Sequence, residues 1–203
     1  MPTGNWTNLG MNLEPRLVVE WQTPGDRLRV FEPTREEIAR GLEDFYNDAN
    51  NQSMMANTVA MTTHEVVEHF EGLRRKGGRP FLLERDGAVL GDADLRHITA
   101  QTAEFAILIG QRPEQGKGIG TRFAILLHAL AFHGLGLERI FVSIIPANLP
   151  AQRLFAKIGY TGDDSPAARA FTDAQTDLTL SMSRATFENA YAPDIGEIHW
   201  SLR

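Results

Sequence analysis

Cysteine is absent from the 203-residue chain, which excludes disulfides, thiolate metal sites and a cysteine acyl-enzyme. Long apolar runs are missing too. No stretch is long enough to span a bilayer, and the opening MPTGNWTNLGMNLEPRL lacks the apolar core of a secretion signal. Internal repeats and low-complexity tracts are absent. Basic residues are outnumbered, 20 Lys and Arg against 26 Asp and Glu. The formal charge of −6 disfavours a nucleic-acid partner, which calls for a basic face, and mildly favours a cationic small molecule. The six histidines show no metal-ligand spacing; His128 and His133, five apart on a helical pattern, fall on different faces. The expectation is a cytoplasmic protein with no membrane or nucleic-acid partner and no metal, long enough for one domain with a full core.

What is present is a concentrated signal at Gln115–Gly120, QGKGIG, between an apolar run (Phe105 to Ile109) and a helical pattern. Such a strand-turn-helix junction exposes main-chain N–H groups. The first four amides of a helix have no intrahelical partner, and the helix dipole makes that end electropositive. Together they form a ready anion site. Gly116 relaxes the turn, and Gly118 and Gly120 let the main chain approach a ligand. The Walker phosphate pattern fails because Gly110 is one residue too far upstream and Gly118 stands at the hydroxyl position; the dinucleotide pattern fails on the glycine spacing.

The flanks extend the signal. Ile119, Phe123, Leu126, Leu127 and Leu130 form one helical stripe, ended by Gly134 and Gly136. Ile140 to Ile145 reads as a strand. Asn148 then caps a helix with Pro150 in its first turn and Leu154, Phe155 and Ile158 on its apolar side, stopping at Gly159-Tyr160. Upstream, a strand near Leu28 to Phe31 precedes a helix from Thr34 through Tyr46, and a second helix starts near Thr62; both have capping-box spacing. Pro80 to Glu84 and Ala88 to Leu95 form a hairpin around Asp86-Gly87. Thr176 to Met182 is a further strand.

These elements resemble the GNAT superfamily of N-acetyltransferases, whose Gln/Arg-x-x-Gly-x-Gly/Ala turn and downstream Asn-x-x-Ala helix ending in Gly-aromatic are matched by QGKGIG and NLPAQRLFAKIGY. AEFAILIG before the turn looks most like the branch holding ribosomal-protein and spermidine acetyltransferases. The match is specific from about Glu104 to Tyr160. The resemblance implies an α/β fold with a mixed, mostly antiparallel sheet of six to seven strands, splayed between the fourth and fifth and flanked by about four helices. It sets a domain at 25–185 between extensions at 1–24 and 186–203, which could be tails or the decoration of a homodimer. It implies acetyl-CoA as cofactor. Main-chain groups near Leu108 and Ile109 would pair with the pantetheine arm. Gln115, Gly116, Lys117, Gly118, Ile119, Gly120 and Thr121 would hold the pyrophosphate, with Asn148 facing the arm. Arg153 and Lys157 could reach a nucleotide phosphate but read better as solvated charges.

The implied reaction is attack of a primary amine, on a small molecule or a peptide or protein, on the thioester. An amine of pKa about 10.4 is protonated at pH 7 by about 3.4 units, or about 4.6 kcal/mol, whereas a thiolate of pKa about 8.5 leaves readily. A base matters more than an acid. Glu104, at the start of the strand bordering the cleft, is the first choice for the base. Asp92 and Asp94 share one strand face and could bind a cation or act as base, although surface placement is the simpler reading; His97 is a lesser candidate. Many relatives carry a tyrosine seven residues after the asparagine. Here that position is Phe155, which cannot donate a proton and is grouped with the cofactor-facing residues. Ser143 or water would then serve as acid, or none is used. The alternatives are a non-catalytic acyl-CoA sensor or scaffold, and an enzyme using a longer acyl-CoA.

Overall fold

The computed structural model describes residues 16–55, 59–172 and 174–202. Most of the expected N-terminal extension, residues 1–15, lies outside the described residues. In chain order the elements are strands β1 (Leu17–Gln22) and β2 (Arg27–Phe31); helices α1 (Arg35–Ala39), α2 (Glu43–Asn47), α3 (Ala49–Met54) and α4 (Thr63–Arg75); strands β3 (Arg79–Arg85), β4 (Ala88–Arg96) and β5 (Thr102–Ile109); helix α5 (Ile119–Ala129), which runs on into a π-helical turn (Leu130–Gly134); β6 (Arg139–Ile144), α6 (Leu149–Ile158), β7 (Thr161–Gly162), α7 (Pro166–Arg169), β8 (Leu178–Ser183), α8 (Arg184–Ile195) and β9 (Ile198–Leu202).

Among the described residues the strands form one nine-stranded sheet ordered β7-β8-β6-β5-β4-β3-β2-β1-β9, in which only the β5–β6 pair is parallel. The expected six to seven strands undercount it. The additions are the two-residue β7 and the terminal strands β1 and β9, which pair with each other across Leu17–Trp21 and Ile198–Leu202. Both stretches set aside as extensions thus contribute to the sheet, and Leu17, Val19 and Ile198 are buried in its core. With β1 counted, the strands flanking the expected split become β5 and β6.

Local chemistry sets most element boundaries. Thr34 and Thr62 each accept from the N–H three residues on, while Glu37 and Glu65 reach back, completing two capping boxes. The single helix expected from Thr34 to Tyr46 breaks in two around Gly41, where a glycine costs about 1 kcal/mol in a helix interior. Asp86 (φ 50°) and Gly87 (φ 86°) both take left-handed backbone, as a two-residue hairpin turn requires.

The sheet is covered on both faces. On one, α5, α6 and α8 bury Phe81, Leu95, Phe105, Phe123, Leu127, Ile140 and Phe187 in the larger core. On the other, α1, α2 and α4 close over Phe31, Leu82, Ile38, Tyr46, Val66 and Phe70. Because side chains alternate along a strand, Ala93, Leu95, Ala103 and Phe105 face α5, whereas Asp92, Asp94, Arg96 and Glu104 face the α2–α4 side.

Candidate functional site

The one parallel pair in the sheet is also the one that comes apart. β5 and β6 are in register over Thr102↔Arg139, Ala103↔Ile140 and Glu104↔Phe141, and then diverge. β6 keeps its partner β8 along its whole length and β5 keeps β4, so the gap opens between them alone. A cleft of about 560 Å³ occupies this gap, walled by Ile107–Ile109 of β5, the turn at Glu114–Thr121, the first turns of α6, and α3. Gly110 donates its N–H to Leu90 of β4 at 2.8 Å, and a Cβ on Gly91 would sit 1.9 Å from the Leu108 carbonyl oxygen. Leu108 therefore turns its main chain toward β4. Alternation gives the gap-facing main-chain groups to Ile107 and Ile109, where Leu108 and Ile109 were expected; Leu108 lines the cleft and packs on the α2–α4 core.

The turn is built for close approach. Gly116 (φ 74°) and Gly118 (φ 84°) hold left-handed backbone, and a Cβ at either would meet nothing within 4 Å. Gly118 is the N-cap of α5 with no side-chain cap, so the amides of the first turn open into the cleft. Ile119 and Thr121 line it as well. Gly120 differs: a Cβ there would lie 2.9 Å from Leu154 Cδ1 and 3.4 Å from Ile109 Cγ1, so this glycine lets α5 pack on α6. Gln115 points back beneath the turn, donating to the Ile109 carbonyl at 2.7 Å and to Asn51 Oδ1 at 3.0 Å. Lys117, in the turn, is exposed and 3.6 Å from Glu114, while Arg153 and Lys157 sit on the cleft wall. Arg122, in the first turn of α5, clamps Asp26 with two hydrogen bonds of 2.8 and 2.6 Å and reaches Thr23 at 3.2 Å, fixing the helix to the β1–β2 turn.

Asn148 caps α6, accepting from the Ala151 N–H at 3.0 Å, and its Nδ2 donates to the Met54 carbonyl of α3 at 2.9 Å. Phe155 lines the cleft from α6, edge-on to Phe105 and Tyr160. The Tyr160 hydroxyl is buried and sits 2.5 Å from His128 Nε2, while His128 Nδ1 lies 2.6 Å from the Ala124 carbonyl. A carbonyl can only accept, so Nδ1 carries the proton and Nε2 receives the tyrosine hydroxyl. Burial pushes the His128 pKa down to about 4. Ser143 stands outside the cleft walls, its hydroxyl donating to Asp177 Oδ2 at 3.3 Å.

On the α2–α4 side of the same strands, three carboxylates are buried: Asp92 and Asp94 are 6% exposed and Glu104 7%. The surface placement expected for the two aspartates is overturned, because β4 is central in the sheet and α2 and α4 close over this face. Arg96 grips Asp94 with bonds of 2.7 and 3.1 Å and comes within 3.9 Å of Glu104. His97 Nδ1 is 3.2 Å from Glu104 Oε2; the ring stacks on Phe171, and the residue has a left-handed φ of 51°. Tyr46 donates its hydroxyl to Asp92 Oδ2 at 3.0 Å, whereas Asp92 Oδ1 is buried without a hydrogen-bond partner. Burial, with Asp94 nearby, pushes the Asp92 carboxyl up to about 7. His69, whose pKa is lowered by burial, stands beside Tyr46. Tyr46 and His69 were missed by the sequence reading; no motif marks them.

Comparison with known proteins follows the same outline. A family model described as an acetyltransferase (GNAT) domain matches residues 16–161. The mycothiol acetyltransferase of Thermobispora bispora is 30% identical over 152 residues, 68% of this chain and 47% of that protein. The chain thus spans about half the length of that curated relative. Among solved structures, Mycobacterium smegmatis RimJ in complex with CoA-disulfide superposes with a TM-score of 0.69 at 18% identity, covering 93% of this chain and 98% of that one. Spermidine N-acetyltransferase from Vibrio cholerae in complex with CoA and spermine gives 0.66 at 19%, covering 79% and 97%. At these identities the structural matches speak for the fold.

Proposed function

We propose, for a chain that belongs to the GNAT acetyltransferase family, that the β5–β6 cleft binds acetyl-CoA and that the protein transfers the acetyl group to a primary amine. The observation that carries this reading is the junction of an uncapped helix N-terminus with a gap between two strands of one sheet. The solved RimJ and spermidine acetyltransferase structures of this fold hold CoA or its disulfide, in line with that reading.

The residues fit the group. The Cβ-free turn at Gly116 and Gly118 leaves room for a diphosphate against the α5 amides, with Lys117, Arg153 and Lys157 supplying positive charge. Ile107 and Ile109 turn main-chain donors and acceptors into the gap, where an extended amide-bearing arm adds as a strand. Acetyl-CoA supplies the activated acyl group as a thioester. The acceptor nitrogen attacks the carbonyl carbon; a C–N bond forms, the C–S bond breaks, and the thiol leaves.

The acceptor ammonium must first lose a proton, and the carboxylates beyond the gap suit that task. Glu104 would receive it, directly or through water; His97 Nδ1 lies 3.2 Å from its Oε2, and the His97 side chain reaches solvent. Asp94 and Arg96 hold its surroundings polar. Buried carboxylates on this face also favour a cationic acceptor over a neutral one. No acid is assigned: Phe155 has no proton, Tyr160 is engaged by His128 and Ser143 by Asp177.

The test is acceptor-dependent thiol release from acetyl-CoA, run over polyamines, aminoglycosides, amino-sugar thiols and peptide amino termini. Turnover with at least one amine class supports the transfer. CoA binding by calorimetry without turnover on any class would identify a sensor instead, and preference for a longer acyl-CoA would change the donor.

A further inference from the structure

The anion turn and the carboxylate face are joined through a single buried side chain. Asn51, on α3, is 1% exposed. Its Oδ1 accepts from Gln115 Nε2 at 3.0 Å. Its Nδ2 donates to the carbonyls of Gly110 and Phe45, both at 3.0 Å, and its N–H donates to Asp48 Oδ1 at 3.0 Å. Gln115 opens the glycine turn, and Gly110 follows the last residue of β5. Phe45 lies against Gly110 so closely that a Cβ there would fall 2.1 Å from its ring. The next residue, Tyr46, donates to Asp92. A continuous path therefore runs from the turn, through Asn51, to the buried carboxylate.

The elements on that path cannot hold themselves. α2 has five residues and no side-chain cap; α3 has six. Helices of that length are unstable alone, so their tertiary ties fix their place. α2 is also held by the Asn47–Met61 bonds and by Tyr46 in the core, while the remaining ties run to the turn and, through Asn148 and the Met54 carbonyl, to α6 across the cleft. An ordered turn thus adds to what orders α2 and α3.

We propose that Asn51 is a positioning residue that couples occupancy of the cofactor turn to assembly of the acceptor side, so that cofactor binding sets Tyr46 and Asp92 in place. The inference rests on the reading of the cleft as a CoA site. It assigns α2 and α3 the part of a segment read out by the turn, and it gives the Asn51 amide a role beyond holding the fold.

Amide hydrogen exchange of residues 43–54 in the wild type, with and without saturating CoA, tests it alongside calorimetric titration of CoA. CoA is expected to slow exchange throughout 43–54. Asn51→Asp keeps the acceptor oxygen but loses both donated bonds. It should lose most of that protection, a coupling on the order of tenfold, and by reciprocity bind CoA more weakly by up to the same factor. CoA binding to the wild type with no change in exchange at 43–54 overturns the inference and leaves the cofactor reading intact. Protection retained in Asn51→Asp overturns it as well. Exchange that is faster in Asn51→Asp by the same factor with and without CoA marks a purely structural tie and also overturns it. Failure of the wild type to bind CoA removes the cofactor reading and this inference together. Where the variant does not fold, the wild-type exchange decides.

Discussion

The two faces of the central strands bury polar groups under opposite conditions. Toward α5, His128 and Tyr160 satisfy each other inside an apolar core, and the histidine is held neutral. Toward α2 and α4, Asp92, Asp94 and Glu104 are buried within two adjacent strands with Arg96 between them, and Asp92 keeps one oxygen without a partner. A buried polar group left unpaired is destabilising. The first face therefore reads as architecture. The second keeps an electrostatic conflict that a packed core would not need, and sites of function are where such conflicts persist.

Acidification should break the comparison most strongly. His128 has a folded pKa of about 4 against an unfolded value near 6.5, so the folded state binds fewer protons in between. Its contribution is complete above about pH 6.5 and is lost as pH falls toward 4, by about 3 kcal/mol at most. Asp92 opposes it: with a folded pKa of about 7 against an ordinary value of 3.8, its effect favours folding at low pH and is lost as pH rises through 7. Denaturant unfolding of Asp92→Asn should therefore show the acid loss more steeply than wild type. Equal slopes in the two proteins would mean that the two faces do not titrate as described.

On the proposed reading, Glu104→Gln comes next, lowering turnover about 10²-fold, with the deficit greatest at low pH where free amine is scarcest. A pH–rate profile of unchanged shape would remove Glu104 from proton transfer. Gly118→Ala should weaken CoA binding about tenfold, because a side chain is forced into left-handed backbone at the turn. Gly120→Ala, whose new methyl meets Leu154, should instead lower the melting temperature. If calorimetry and thermal unfolding give the two glycine variants the same phenotype, the distinction between them fails. At about pH 8, Asp92→Asn should raise stability in denaturant unfolding by removing a buried charge. Destabilisation there would show that the carboxylate is favourably solvated in place.

The sequence made the α5 side legible and left the other side dark for physical reasons. The glycine turn, the Asn148 cap and the stripes of α5 and α6 depend on neighbours within a few residues, where spacing carries the geometry. The hairpin at Asp86-Gly87 was read from the same kind of local signal, whereas the β5–β6 gap was expected only from the family resemblance. Burial of Asp92 depends on α2 and α4 closing over β4, and Tyr46 meets Asp92 from 46 residues away. No local pattern encodes such a meeting. α3 (ANNQSM) offers no apolar stripe, because its place is fixed by Asn51 and Asp48. β9 escaped because its ladder partner, β1, stands far away in the sequence; β1 itself also pairs with the adjacent β2.

The clamp of Arg122 on Asp26 and Thr23 bears on how tightly the cleft can grip. A helix whose first turn is bolted to a distant hairpin cannot rock when an anion arrives. Its amides are already aimed, and little freedom remains to be lost on binding. Cutting that bolt should slacken the grip while leaving the residues of the glycine turn themselves unaltered.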